Sequence, residues 1–196
     1  MLELVCDSRE NKIKQLYDNN FTPIKDISIS FKNLDLGDFV FYYNGEIILI
    51  VERKTTCDLY SSIRDGRYKE QKIRLLNNYN KSKILYLIEG PLENNTKYYK
   101  NFYSITKGSI LNMMFRDKLN ILRTDTVNQT YDFLITLCNK IMKNPEFFVS
   151  DHVPKTSSTN YENTIKVCKK DNMTPQLCSI IQLSQIPGVS TKIAKI

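Results

Sequence analysis

The chain is expected to be an α/β protein built on a mixed sheet, and three observations predict it. Short apolar runs alternate with longer amphipathic ones, the pattern left by strands and helices in turn. Asn44-Gly45 separates two apolar runs, FVFYY and EIILIV, which predicts an antiparallel hairpin because both residues accept a positive φ in a tight turn. Ile47 to Val51 is apolar at every position, as in a central strand buried on both faces.

From the N-terminus, Met1 to Asp7 predicts a strand and about Arg9 to Asn19 a helix, with a second strand over Pro23 to Ile29. The hairpin follows. Thr55 to Asn78 predicts helix with a break near Asp65-Gly66, and Lys83 to Ile88 a buried strand closed by Gly90-Pro91. Helices over about Ser104 to Asp117 and Val127 to Met142 flank a short strand, Leu119 to Arg123. Periodicity then fades, so residues 147–171 are expected to be a linker after a first domain over 1–146. A last helix opens at Thr174-Pro175, an N-cap followed by proline at the first helical position. The segment 172–196 is therefore a small helical unit.

Among 196 residues, 41% are hydrophobic and 25% charged, the composition of a globular protein. No apolar run is long enough for a membrane span, and Met1 to Cys6 is too short for a signal peptide, so neither membrane insertion nor secretion is expected. The five cysteines form no C-x-x-C pair, which argues against a disulfide framework and a zinc site. With His152 the single histidine, chemistry must rest on carboxylates, Lys, Arg, Tyr, Ser or Cys. Lysine and arginine outnumber acids 28 to 21, which favours a polyanionic partner.

Asp38 precedes the first arm of the hairpin, and Glu52, Arg53 and Lys54 end the second. Side chains alternate along a strand, so Glu52 and Lys54 share a face. Two carboxylates and a lysine suit Mg²⁺, which takes hard oxygen ligands and retains waters. Such a site lowers the pKa of water and offsets charge on a phosphate, with Lys54 acting on the water. Asp-x13-Glu-x-Lys is the generic pattern of restriction-endonuclease-like nucleases, but a turn aspartate and a solvated strand end would produce it equally well. A regular two-residue turn would set Asp38 opposite Val51, on the wrong face for Glu52. A shared site therefore requires a one-residue offset, from a bulge, a longer turn or a bend.

Longer motifs decide between these. L-G-D-F-V, then I-V-E-R-K-T-T-C-D-L, then S-S-I-R-D-G-R-Y-K-E-Q-K-I-R-L, closely resemble the G-D…E-R-K-x3-D signature of the XPF/Mus family of structure-specific endonucleases. The last run looks most like its Mus branch. The resemblance covers about residues 1 to 143 and implies a restriction-endonuclease-like mixed sheet flanked by helices. It implies catalytic roles for Asp38, Glu52, Arg53, Lys54 and Asp58. Asp38 and Glu52 would ligate Mg²⁺, for which Mn²⁺ can substitute, with Asp7 of V-C-D-S-R-E as a further carboxylate that either touches the metal or stands just behind its ligands. Arg53, on the other side of its strand, would pair with an acid or a phosphate. Asp58 is either a buried partner of Arg53 or Lys54 or an ordinary first-turn acid.

Arg64, Arg67, Gln71 and Arg74 fall at helical spacing, as a phosphate-tracking stripe or a solvated face. Tyr68, Leu75, Leu76 and Tyr79 fall on another face and read as core. I-P-G-V-S resembles the first hairpin of a helix-hairpin-helix module, with Gly188, Ser190 and Lys192 at a phosphate; a plain packing corner is the alternative. Family modules come as hairpin pairs, and the chain ends at Ile196 partway through the first.

The resemblance implies a metal-dependent endonuclease that cuts branched DNA (3′ flaps, forks, nicked junctions) in repair or recombination. It also implies a homodimer or heterodimer through the nuclease domain, and a nuclear or other DNA-containing compartment. Two rivals remain: a catalytically silent DNA-binding partner subunit, and a phosphodiesterase on RNA or cyclic nucleotides.

Overall fold

The computed structural model describes residues 1–20, 25–93, 101–149, 175–190 and 193–194. The chain divides into two compact units, residues 1–151 and 152–196. In the first unit six strands form one mixed sheet in the order β2-β1-β3-β4-β5-β6. They are β1 (Leu2–Asp7), β2 (Ile27–Lys32), β3 (Phe39–Tyr43), β4 (Glu46–Thr55), β5 (Ile84–Glu89) and β6 (Asn120–Thr124). β3 is antiparallel to β1 and β4, whereas β1–β2, β4–β5 and β5–β6 are parallel. The mixed α/β sheet expected from the sequence is present, with β4 near its middle.

Two cores lie on opposite faces of this sheet. One packs Leu4, Phe39, Phe41, Val51 and Leu87 against Ile13 of α1 (Asn11–Asn20) and Leu134, Cys138 and Ile141 of α5 (Val127–Lys143). The other packs Val40, Ile50, Tyr86 and Ile88 against three helical segments. These are α2 (Thr56–Arg64, with Leu59), α3 (Arg67–Asn78, with Leu75) and α4 (Phe102–Leu111, with Ile110), the last continuing as a π-helical turn over Asn112–Arg116. β4 feeds both cores, which is why its run is apolar throughout.

Three elements differ from expectation. β2 starts at Ile27 rather than Pro23, because parallel pairing with β1 sets Leu2 opposite Ile27 and Asp7 opposite Lys32; Pro23 lies outside the described residues. The expected helix over 104–117 ends in the π-turn, which buries Met113 and exposes Met114 and Phe115. The start of the expected linker holds a helical turn, α6 (Glu146–Val149), where the N–H groups of Phe148 and Val149 both donate to the carbonyl of Pro145 (3.0 Å each). The break at Asp65-Gly66 is where the sequence placed it, with Gly66 at φ +78° between α2 and α3.

In the second unit, α7 (Pro175–Ser184) runs into a turn at I-P-G-V. The N–H of Val189 donates to the carbonyl of Ile186 (3.0 Å), with Pro187 and Gly188 (φ +89°) at the centre. This is a type II turn, which favours proline and then glycine at those two places. The Ser190 carbonyl accepts from the N–H of Ala194 (3.0 Å). Gly188 and Ser190 are exposed; Lys192 lies outside the described residues.

Candidate active site

The hairpin turn is the two-residue one, pairing Tyr43 with Glu46, and a bulge follows at once. Tyr42 faces Ile47, but Phe41 faces Leu49, which leaves Ile48 as the extra residue. Ile48 and Leu49 accordingly enter the same core. Beyond the bulge the parity of β4 is reversed. Phe39 now faces Val51, and the Asp38 N–H donates to the Val51 carbonyl (2.9 Å). Asp38 thus stands opposite Glu52, and both join Ile50 and Lys54 on the face toward α3. The offset required for a shared site is therefore built into the hairpin.

A cleft of about 170 Å³ opens on that face, lined by Arg9, Asp38, Glu52, Gln71 and Arg74 among others. It lies over the carboxyl-terminal half of β4, between the segment 35–38 and α3. Asp38 accepts the backbone N–H of Arg53 on Oδ2 (2.7 Å), while the Glu52 carboxylate forms no hydrogen bond among the described residues. Burial pushes Glu52 up to about 8, and the neighbouring Asp38 carboxylate adds to the rise. Asp38 is raised too, by burial and by the Asp7 charge, against the pull of the Arg53 N–H and Lys54. Lys54 and Arg9 offset the crowding of these two carboxylates only in part. Paired hard oxygens beside an open cleft fit Mg²⁺ or Mn²⁺, which one or two carboxylates and solvent can hold.

Asp7 does not belong to that pair. It is fully buried, and both its oxygens are taken. Oδ1 accepts the backbone N–H and Nε of Arg9 (2.8 Å each), and Oδ2 accepts Nη2 of Arg9 (2.8 Å) and the N–H of Leu34 (3.1 Å). The side-chain bonds to Arg9 hold its carboxyl down at about 2. Of the two places the resemblance implies for Asp7, this arrangement matches the one behind the metal's own ligands, with Arg9 and the Leu34 N–H engaging both oxygens. No cluster of three or more His, Cys, Asp or Glu side chains is arranged to hold an ion among the described residues.

Arg53, on the opposite face, pairs with acids. Its Nε and Nη2 grip both oxygens of Glu89 (2.9 and 2.6 Å), and Nη1 donates to Glu10 (2.9 Å). Thr130 of α5 donates to Glu89 (2.7 Å) and shares a hydrogen bond with Thr124 (2.7 Å). Burial raises Glu10 to about 7. Burial also opposes ionisation of Glu89, but Arg53 and Thr130 outweigh it and hold Glu89 low. Glu10, Glu89 and Thr130 were not singled out in the sequence. The available signal was Glu89 itself, a charge closing an apolar strand just as Glu52 does in β4.

Asp58 is not a buried partner of Arg53 or Lys54. It is exposed in the first turn of α2, where its carboxylate accepts the Thr55 hydroxyl (2.6 Å) and its N–H donates to the same oxygen (3.1 Å). Thr55 is the N-cap, so Asp58 serves the helix end. The four-residue stripe is also corrected. The break at Gly66 removes Arg64 from it, and Arg64 lies 5.8 Å over the Tyr60 ring. Arg67, Gln71 and Arg74 remain on one face of α3; Arg67 pairs with Asp65 (2.9 Å), and Gln71 and Arg74 line the cleft.

Gly37 has φ +75°, and a Cβ there would sit 2.5 Å from Cγ2 of Ile50. Gly37→Ala is expected to lower stability by about 1–3 kcal/mol in denaturant titration and to reduce activity, because the displaced backbone carries Asp38.

Residues 6–137 match the ERCC4 domain. The chain belongs to the ERCC4 domain family. It is 32% identical to the probable crossover junction endonuclease mus81 of Dictyostelium discoideum over 97% of this chain and 24% of that protein. To the crossover junction endonuclease MUS81 of Arabidopsis thaliana it is 29% identical, over 86% and 26% respectively. An ERCC4 domain-containing protein EP364R of African swine fever virus is 30% identical over 70% of this chain and 40% of the viral protein. The chain spans about a quarter of the length of these crossover junction endonucleases. In fold it is similar to XPF from Aeropyrum pernix in complex with DNA, with a TM-score of 0.55 and 18% identity over all of this chain and 79% of that one. The XPF/Mus resemblance read from G-D…E-R-K thus holds. Within the ERCC4 domain, the motif's aspartate, glutamate and lysine share the cleft face and its arginine turns to the other side.

Proposed function

We propose that this ERCC4 domain is the catalytic part of a structure-specific endonuclease that hydrolyses phosphodiester bonds in branched DNA, such as 3′ flaps, forks and nicked junctions. One observation carries the proposal: the bulge brings Asp38 and Glu52 face to face in a cleft, with the Lys54 ammonium beside Glu52. Mg²⁺, or Mn²⁺ in its place, would supply Lewis-acid polarisation of the phosphate and activation of water. Asp38 and Glu52 would hold it, with the Arg53 N–H fixing one oxygen of Asp38. Lys54 would orient the attacking water and offset charge growing on the phosphate. No covalent intermediate is needed.

Arg74 lines the cleft, and Arg67 lies on the same helix face, so α3 suits a phosphate backbone entering the site. The exposed turn at Gly188 and Ser190 suits a second backbone contact through its N–H groups. Leu111, Met114 and Phe115 are 44%, 42% and 65% exposed, which supports pairing with a second chain of the same kind, identical or not. These activities and the compartment of branched DNA, the nucleus or its equivalent, are those proposed for the protein.

The deciding experiment offers the purified chain flap DNA, single-stranded RNA and cyclic dinucleotides, each with Mg²⁺ and with chelator. Cutting of flap DNA only, and only with the cation, is the expected result. Binding without cutting would make this a silent subunit, and preference for RNA or a cyclic dinucleotide would reassign the substrate.

A further inference from the structure

Resting on the reading of Asp38 and Glu52 as a hydrolytic site, we infer that Gln71 is a positioning residue for Lys54 rather than a contact to DNA phosphate. The Lys54 side chain is only 9% exposed at the cleft. Its ammonium has three N–H donors and no acceptor, and among the described residues it makes one hydrogen bond, to Oε1 of Gln71 at 2.6 Å. An ammonium can only donate, so the amide atom facing it must be the oxygen; chemistry sets the orientation of the amide.

Lysine carries a point charge on a flexible four-carbon stem, and that charge stands among the opposite charges of Glu52 and Asp38. Without another acceptor the ammonium would collapse onto these carboxylates and compete with a cation for their oxygens. Gln71 supplies that acceptor from α3. The helix is held in turn by Leu75 in the core and by Lys72, which is buried and pairs with Asp117 (2.5 Å). Gln71 thus keeps the ammonium at the rim of the cleft, near enough to act on a water and clear of the cation's ligands.

A neutral side chain suits this task and brings no charge to phosphate tracking. Glutamine releases no counterion when DNA binds, so it adds nothing to the salt dependence that charged contacts produce. Arg67 and Arg74, one turn away on either side, carry that charge.

The test uses the full chain and the variants Gln71→Met, Gln71→Glu, Lys54→Met, the Gln71→Met/Lys54→Met double, and Glu52→Gln. Gln71 is exposed, so its variants should fold normally. Flap-DNA affinity is measured in chelator across salt concentrations, and the single-turnover cutting rate with Mg²⁺. Gln71→Met is expected to keep affinity within about twofold with an unchanged salt slope, while its cutting rate falls on the order of 10- to 100-fold. If Gln71 acts through Lys54, the double variant cuts no more slowly than Lys54→Met alone. Where Lys54→Met leaves no measurable rate, Gln71→Glu decides, since it retains an oxygen for the ammonium and must cut faster than Gln71→Met.

Multiplying losses in the double variant, weakened DNA binding with a flatter salt slope, or equal rates for the two Gln71 variants would each overturn the positioning role. Glu52→Gln separates the two readings. If it still cuts, the hydrolytic site itself is wrong. If it is inactive while Gln71→Met cuts at the full rate, only the role of Gln71 fails.

Discussion

Glu52→Gln is expected to reduce Mg²⁺-dependent cutting roughly 10³-fold or more, while DNA affinity in chelator stays within a few-fold. The amide keeps the shape of the side chain but removes the charge that would hold a divalent cation opposite Asp38. On the proposed function, DNA affinity rests mainly on phosphate contacts elsewhere and should survive.

The same substitution should change stability in a direction that a surface mutation would not. Glu52 is held near 8 in the folded chain against an ordinary value of 4.5, by burial first and by Asp38 second. The folded state therefore binds the proton more tightly than the unfolded one. Stability is fully present below about 4.5 and is lost as pH rises through about 8. In metal-free buffer above pH 8, Glu52→Gln should thus melt several degrees higher than the parent. Added Mg²⁺ should raise the melting temperature of the parent and leave that of the variant nearly unchanged. A variant that melts lower, or that gains as much from Mg²⁺, would show that Glu52 does not meet Asp38 in this way.

Glu89→Ala is expected to have the largest effect on folding. Arg53 and Glu89 are 13% and 10% exposed, and their bidentate pair is extended by Glu10 and Thr130. Truncating Glu89 leaves a largely buried guanidinium with one of its three side-chain hydrogen bonds, the one to Glu10, which costs about 3–5 kcal/mol. For a domain of this size that is a fall in melting temperature of roughly 6–20 °C. Glu89→Gln, which keeps acceptor and donor capacity but not charge, should fall less. Cutting should fall along with stability, because the backbone N–H of Arg53 fixes Asp38 (2.7 Å). If Glu89→Ala melts like the parent, the network is not what holds the end of β4.

The sign of the pH dependence differs here. Asp7 is held at about 2 by Arg9, and Glu89 is held low by Arg53 and Thr130. Stability from depressed carboxyls is present above their ordinary values and lost as pH falls through the depressed ones. Without metal, acid weakens the Arg9 and Arg53 anchors while base loads the Asp38–Glu52 pair.

The strands, the hairpin, the break at Gly66 and the membership of Asp38, Glu52 and Lys54 in one motif are all legible in the residues alone. These are local matters: apolar periodicity, the φ tolerance of Asn44 and Gly45, and residue types at short spacing. The same residues show that a regular hairpin would set Asp38 against Val51, so an offset was required. That Ile48 supplies it emerges from the folded sheet alone, since an apolar residue in an apolar run carries no mark of being the extra one. Tertiary packing likewise decides what each charge meets. Asp7 and Asp38 are both aspartates at strand ends, yet Arg9 and the Leu34 N–H saturate one and leave the other paired with Glu52. Asp58 turned from Arg53 to the helix cap because Thr55 lies closer along the chain, and Arg53 found Glu89 and Glu10 instead. The physical reason is common to all of these. A side chain's chemistry is written in its identity, but its charge state and role depend on which donors, acceptors and like charges the packing of distant segments brings within about 3 Å.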